Sequence, residues 1–401
     1  MAPSQKNVVF DARWLTPVPS GISVYSLELM RRLPALEPSW RWHFVFRNAE
    51  LRDSAMAACA FPQSLKVATH IIRCSPQKYL NQFRMPLFLR AVGSDLFHSP
   101  HYMIPYCAFG SLAAAVHPVP ARRRHGCGVC IATIHDAIPL LLKAYAPRST
   151  TSRMLWLYRA CQRLTLRTAA FTITGSDTAR NDIAAALSLG RRERERFVTI
   201  YDGVSDRFTP GERRKRSDGE AQIVLYVGRL DPYKNVPFLV AAFAQFLKKT
   251  SMKAHLLIVG PDDPRYPEAR KHAKDRGISE HVTFLHGASD AELLSAYRSA
   301  SVLVNPSRYE GFGLPMLEAM RCGTPVICAD GGSQPEISGG AAEVLPTGDE
   351  QAFVAALERI LGDPALQSRM AERGLARSAE FSWDATAAKT IGIYRKALEL
   401  K

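Results

Sequence analysis

The sequence contains no Asp-x-Asp triplet, so the simplest carboxylate clamp for a divalent ion is missing. Asp262-Asp263 lies in a proline-flanked loop that reads as a turn, and no resident metal is expected. Long apolar runs are absent too, none approaching the roughly 18 residues of a spanning helix. Where a signal peptide would carry its apolar core, Lys6 is followed by a short strand-like run and Asp11. Any membrane contact is therefore expected to be peripheral. The eight cysteines form no regular framework, which points to free thiols in a reducing cytoplasm. Only Cys127-Gly128-Val129-Cys130 has the spacing of a redox or zinc pair, with His125 near it and no second Cys pair. There is no internal repeat and no aromatic-rich basic motif of the known nucleic-acid readers, so nucleic acid is not an expected partner.

What the chain does have is apolar sequence for two cores. Of its 401 residues 47% are hydrophobic. Apolar runs around Val8, His43, Val67, Asp95, Ile131 and Phe171 precede helical stretches, and the pattern restarts at Ile223, Leu256, Val282, Val302 and Val326. This alternation predicts an α/β chain with two parallel sheets. Asp202-Gly203-Val204, ahead of the charged, strand-poor run from Gly211 to Glu220, marks a boundary between domains 1–205 and 206–380. The remaining segment, 381–401, is predicted as a helix from about Trp383 to Leu400, with Ala385, Ala388, Ile391, Ile393, Tyr394 and Leu398 as its apolar stripe.

Four segments carry chemistry. In the first, an apolar strand from Ser301 to Val304 enters a turn where Gly311 and Gly313 leave the backbone open to a ligand, and a helix is predicted from Leu314 to Arg321. The free amides of that helix start would face an anion. Glu310 lies in the turn and Glu318 a full helical turn beyond it, so the two can grip different parts of one long ligand, and carboxylates suit sugar and ribose hydroxyls. A plain surface helix would need neither glycine. In the second, the strand Ile223–Val227 and the turn at Gly228 lead to Arg229 and Lys234, five residues apart. A planar fork and a compact charge can together neutralise a diphosphate as its bond breaks, although either cation alone reads as ordinary surface. In the third, the strand Cys130–Ile134 ends in His135-Asp136-Ala137-Ile138-Pro139. Parallel sheets place ligands at such ends, yet a lone histidine there is more often structural, and Asp136 either orients it or caps the next turn. In the fourth, Pro19-Ser20-Gly21 opens a helix through about Arg32, with Gly21 letting backbone approach a diphosphate.

Glu310 and Glu318, with Gly-Phe-Gly-Leu-Pro between them, resemble the donor-site signature of the family 4 retaining glycosyltransferases. The resemblance implies the GT-B fold: two Rossmann-like parallel-sheet domains facing across a cleft, the N-terminal one binding acceptor and the C-terminal one a nucleotide sugar, with a C-terminal helix crossing back to the N-terminal domain. It implies that Arg229 and Lys234 hold the donor phosphates, that Glu318 holds the ribose, and that Glu310 with Gly311, Phe312, Gly313 and Leu314 fixes the sugar. His135 would lie beside the sugar and Gly21 beside the diphosphate, in a position where the family shows two adjacent glycines and this chain has Ser20-Gly21. His135, Glu310, Arg229 and Lys234 are thus the catalytic candidates. The His-Asp-x-Ile-Pro run followed by Tyr145-Ala146-Pro147 is similar to GDP-mannose-dependent bacterial mannosyltransferases, with UDP- and dTDP-sugars left open. Base recognition is assigned to loops near Gly260-Pro261-Asp262 and His286-Gly287. The expected reaction moves mannose to a hydroxyl of a growing glycan, such as a lipid-linked oligosaccharide, O-antigen or exopolysaccharide, without metal or other cofactor. A sugar-nucleotide epimerase of the same architecture and a basic nucleic-acid-binding protein are the alternatives; a phosphorylase is disfavoured because no lysine stands out as a pyridoxal anchor.

Charge is divided unevenly. Residues 1–205 hold 26 Lys+Arg against 12 Asp+Glu, whereas residues 206–401 hold 26 against 25. An excess on the acceptor half suits an anionic partner, whether a membrane leaflet, a lipid diphosphate or nucleic acid; the resemblance, to enzymes that often elongate polyprenyl-diphosphate-linked glycans, favours the membrane and implies a cytoplasmic protein peripheral to the inner face of a bacterial plasma membrane. Within Tyr106 to Arg124, the apolar stretch Ala108–Val116 beside Arg122-Arg123-Arg124 is the candidate membrane contact; a loop insertion is the other reading.

Overall fold

A computed structural model describes residues 5–17, 20–109, 126–142, 154–211 and 220–400. The Tyr145-Ala146-Pro147 run, His125 and residues 110–124 of the candidate membrane contact lie outside them. The chain divides into two units, one comprising Met1–Ala137, Met154–Gly203 and Trp383–Lys401, the other Ile138–Arg153 and Val204–Ser382.

The first unit is built on seven parallel strands: β1 (Asn7–Asp11), β2 (Arg41–Phe46), β3 (Val67–Ile71), β4 (Leu96–Ser99), β5 (Val129–Thr133), β6 (Phe171–Thr174) and β7 (Phe197–Thr199), in the order β3-β2-β1-β4-β5-β6-β7. The second carries six: β8 (Gln222–Val227), β9 (Ala254–Val259), β10 (Val282–Leu285), β11 (Val302–Asn305), β12 (Val326–Ala329) and β13 (Glu343–Leu345), in the order β10-β9-β8-β11-β12-β13. Central strands such as Val8-Val9-Phe10 and Val302-Leu303-Val304 are wholly buried. Continuous apolar sequence of this kind is what helices on both faces of a parallel sheet demand. In each sheet the strand order reverses once, between β1 and β4 and between β8 and β11, and the carboxyl ends of strands at such a reversal open the crevice where ligands bind in this architecture.

The helix Trp383–Glu399 returns to the first unit and packs along the helix Gly21–Leu36. Arg32 bonds Asp384 at 2.5 Å, and the Arg395 Nε donates to Glu37 at 2.6 Å. Its buried stripe differs from the expected one. Trp383, Thr386, Ala387, Thr390, Ile391, Tyr394 and Ala397 face inward, while Ala385 and Ala388 are exposed. The threonines go in because their hydroxyls are already satisfied: Thr390 donates to the Thr386 carbonyl at 2.8 Å and Thr386 to the Tyr201 carbonyl at 2.7 Å. Asp202, where the chain leaves this unit, is buried, and burial raises its carboxyl to about 7. Cys127 and Cys130 are free buried thiols. Among the described residues, which leave out His125, no group of three His, Cys, Asp or Glu could hold a metal.

Candidate active site

The site grows from the adjoining ends of β8 and β11, where Val302 pairs with Val224 and Leu303 with Leu225. After β8 the chain turns at Gly228, and the Tyr226 hydroxyl donates to the Arg229 carbonyl at 2.6 Å, fixing the turn. The end of β9 lies so close that a Cβ on Gly260 would come within 1.9 Å of the Gly228 carbonyl oxygen. Glycine there is a steric necessity. A 3-10 turn, Pro232–Lys234, then presents Lys234, and Asn235 at φ +59° redirects the chain into the helix Val236–Lys249. The Arg308 amide donates to the Tyr233 carbonyl at 2.8 Å, tying this turn to the loop after β11.

That tie brings Lys234 and Glu310 together. The Lys234 Nζ donates to both carboxylate oxygens, at 2.7 and 2.9 Å. Burial works against the Lys234 charge, but Glu310 together with Tyr226 and Asp231 outweighs it and the ammonium pKa is raised. An ammonium has three donors, so two directed at Glu310 leave a third for a ligand. The Ser307 hydroxyl lies 2.6 Å from Glu310 and 2.9 Å from the Asn305 side-chain oxygen. Arg229 is held differently. Its Nε donates to Asp231 at 2.7 Å while the side chain stays 54% exposed. Burial again opposes the charge, Asp231 together with Tyr233 and Asp263 outweighs it, and the pKa rises. Four further guanidinium N–H groups belong to this arginine.

The loop carrying Glu310 is clamped from the next strand by residues that the sequence reading did not single out. The Ser333 amide donates to the Glu310 carbonyl at 3.0 Å, and its hydroxyl lies 3.1 and 3.0 Å from the carbonyls of Glu310 and Phe312. Gln334 donates to the carbonyls of Ser307 and Gly331 at 2.9 and 3.0 Å. A Cβ on Gly331 would stand 2.1 Å from the Arg308 carbonyl oxygen, and one on Gly332, at φ +68°, 2.4 Å from that of Glu310. The signal was present: Asp330-Gly331-Gly332-Ser333 follows an apolar strand and precedes a helix, the same pattern as Gly311 to Leu314.

Gly313, at φ +102°, starts the helix Leu314–Arg321. Pro315 has no N–H and Met316 gives its own to the Gly313 carbonyl at 3.1 Å, so two of the amides expected to face an anion are not available. Phe312 is buried edge-on to Phe381, ring centroids 5.9 Å apart, and Gly311 is half-buried. Glu318 accepts a 2.6 Å bond from the hydroxyl of fully buried Tyr297. Burial raises the Glu318 pKa, with the Tyr297 bond and Arg207 opposing the rise. The two loops assigned to base recognition meet, the His286 Nδ1 lying 2.9 Å from the Gly260 carbonyl. Asp263 folds back onto the Arg265 guanidinium at 2.8 and 2.7 Å, as a turn carboxylate does.

His135 and Gly21 belong to the first unit. His135 follows β5 and its Nε2 lies 3.0 Å from the Pro100 carbonyl. A carbonyl only accepts, so Nε2 carries the proton and the Nδ1 lone pair is left as acceptor. Burial lowers its pKa to about 4, against the pull of Pro100, and the ring meets the edge of Tyr25 at 5.1 Å. Gly21 is the first helical residue, capped by the Ser20 hydroxyl accepting from the Ser23 amide at 3.2 Å, with open space where a Cβ would stand.

Two doubly wound parallel sheets, one of them with paired cations and carboxylates at its strand reversal, define a GT-B architecture. Residues 210–377 match the family model described as Glycosyl transferases group 1, and the chain carries a group 1 glycosyltransferase domain. It is 27% identical over 403 residues to O-antigen chain mannosyltransferase B from Escherichia coli, covering 94% of this chain and 96% of that one. It is 35% identical to a D-inositol 3-phosphate glycosyltransferase from Frankia alni, over 51% of this chain and 57% of the relative. Among solved structures it resembles sucrose-phosphate synthase from Thermosynechococcus elongatus, with a TM-score of 0.74, 21% identity, and coverage of 99% and 100% of the two chains. It also resembles Anabaena HepE in complex with UDP and glucose, with a TM-score of 0.71, 16% identity, and coverage of 98% and 100%. No helix among the described residues is long and apolar enough to cross a membrane.

Proposed function

We propose that this protein is a retaining mannosyltransferase that takes GDP-mannose and passes mannose to a hydroxyl of a lipid-linked glycan. The observation that carries the reading is the Lys234–Glu310 pair at the β8/β11 reversal, with Arg229 beside it on the same turn. Lys234 keeps Glu310 with two protons and gives its third to the donor phosphates, joined by the outer N–H groups of Arg229. Glu310 and the Gly311–Leu314 backbone hold the sugar hydroxyls, and Glu318, fixed by Tyr297, holds the ribose. As the bond between the anomeric carbon and the phosphate oxygen breaks, the leaving diphosphate gains charge that the two cations neutralise. The acceptor oxygen bonds to the same face of that carbon, and its proton passes to the leaving phosphate. With charge neutralised by side chains, the reaction needs no divalent ion. His135, neutral and offering Nδ1, accepts a hydrogen bond from the sugar, and Gly21 lets backbone approach the diphosphate.

Mannose rests on the likeness, over nearly the whole chain, to the O-antigen mannosyltransferase. The acceptor reading adds the basic excess of residues 1–205, which also favours peripheral attachment to an anionic cytoplasmic leaflet. Epimerase and nucleic-acid readings draw no support from the relatives described above. A thermal-shift screen against GDP-, UDP- and dTDP-sugars tests the donor, because a ligand bound to the native state raises its apparent stability. GDP-mannose should give the largest shift; a larger shift with UDP-glucose would overturn the choice of donor.

A further inference from the structure

We infer that the outer face of the helix Asn81–Ala91 is the surface that docks on an anionic lipid bilayer. This inference rests on the peripheral attachment proposed above and adds a second segment to the Tyr106–Arg124 stretch, whose described start packs against this helix, with the Cys107 amide donating to the Gln82 side chain at 3.3 Å. The helix buries Asn81, Met85, Pro86 and Leu89. Its opposite face presents Phe83 at 62% and Leu87 at 63% exposure, continued by Leu80 and by Tyr79 at 75% just ahead of the helix. Four large apolar side chains at positions 79, 80, 83 and 87 form one stripe on consecutive turns. A water-facing helix would turn its polar side outward, and such a patch marks an interaction surface.

Charge identifies the occupant. Between residues 54 and 94 there is no Asp or Glu, whereas Lys66, Arg73, Lys78, Arg84 and Arg90 all fall there. Arg84 and Arg90 interleave with the stripe on the exposed face, and Lys78 stands beside Tyr79. Between the end of β3 and this helix opens a hollow of about 530 Å³ lined by Ile71, Ile72, Arg73, Arg84 and Phe88. Two arginines over apolar walls suit a lipid headgroup with the start of its chain. Aromatic and aliphatic side chains enter the headgroup boundary while the cations meet anionic phosphates, the combination by which an interfacial helix holds a membrane. A second protein copy would set Arg84 and its neighbouring cations against the same charges on its partner, with no carboxylate from residues 54–94 to offset them.

The test is flotation of the full-length protein with vesicles of neutral phosphatidylcholine alone or mixed with phosphatidylglycerol. The protein should float with the anionic vesicles, weakly with the neutral ones, and less as salt rises. The double variant Phe83→Ser/Leu87→Ser should lower partitioning at least about tenfold, and Arg84→Glu/Arg90→Glu should abolish the preference for anionic lipid. Both variants should keep the thermal shift with GDP-mannose, which separates failure of this inference from failure of the donor assignment and shows that they fold. Equal flotation of wild type and both variants would overturn the inference. So would wild type that stays with the soluble fraction, or a wild-type dimer in light scattering that the serine variant turns into monomer.

Discussion

Lys234 holds both oxygens of Glu310, at 2.7 and 2.9 Å, across 76 residues of sequence. The phosphate grip and the sugar grip expected from separate motifs are therefore one electrostatic unit, and neither side chain can be changed without stranding the other. Lys234→Ala and Glu310→Ala should each abolish transfer and also cost the unliganded protein about 2 kcal/mol, less than a fully buried pair because both side chains keep some solvent contact. The double variant should regain part of that stability and none of the activity. A double-mutant cycle by denaturant unfolding checks this, and strictly additive losses would show the pair to be energetically uncoupled.

The clamp from Ser333 and its glycines should matter as much as the pair it supports. Gly331→Ala pushes a methyl group into the Arg308 carbonyl and should lower kcat/KM by at least about a hundredfold, since a displacement near 1 Å in a catalytic group has effects of that size. Ser333→Ala removes only a hydroxyl and should cost about 1 kcal/mol of stability. Steady-state kinetics and thermal unfolding separate the two, and wild-type turnover in the glycine variant would contradict the role given to this loop.

Glu318 depends on one neighbour. Tyr297→Phe deletes the hydroxyl that donates to it and leaves a half-buried carboxylate without that bond. Donor affinity should fall about three- to tenfold, with kcat little changed if ribose binding is equal in ground and transition states. A fall in kcat at unchanged KM would place Glu318 in the chemical step.

Asp202 gives a pH-dependent stability with a definite sign. Its carboxyl holds a proton up to about pH 7 when folded, against 3.8 for the ordinary group. Between those values the folded state binds more protons than the unfolded one, so stability falls as pH rises, and the whole penalty is present above pH 7. Asp202→Asn should therefore stabilise the protein at pH 8 by about 2 to 4 kcal/mol and have little effect near pH 4. Unfolding at the two values measures the difference; equal effects at both would mean that the carboxylate is charged and compensated.

Long apolar strands and the helix Leu314–Arg321 were legible in the sequence because burial on both faces and a glycine-proline start leave unambiguous marks. The edge strands Phe197–Thr199 and Glu343–Leu345 were not. Three residues, covered on one side by a single neighbour, carry too little apolar sequence to stand out. The stripe of the last helix was misplaced because alanine looks apolar and threonine polar, whereas Thr386 and Thr390 satisfy themselves on backbone carbonyls and go inside. At the site, Arg229, Lys234, Glu310 and Glu318 stood out by residue type and spacing. Their partners Ser307, Ser333, Gln334 and Tyr297 did not, because a supporting hydrogen bond is set by the fold and has no fixed spacing along the chain.

Calorimetric titration of the full-length protein with GDP-mannose in excess chelator tests the central claim most directly, because it asks whether protein cations alone hold the diphosphate. Wild type should bind with unchanged affinity when the chelator replaces magnesium, and Lys234→Ala should lose at least about tenfold, the worth of one charge-assisted contact. Binding that requires the divalent ion, or that survives intact without Lys234, would contradict the account.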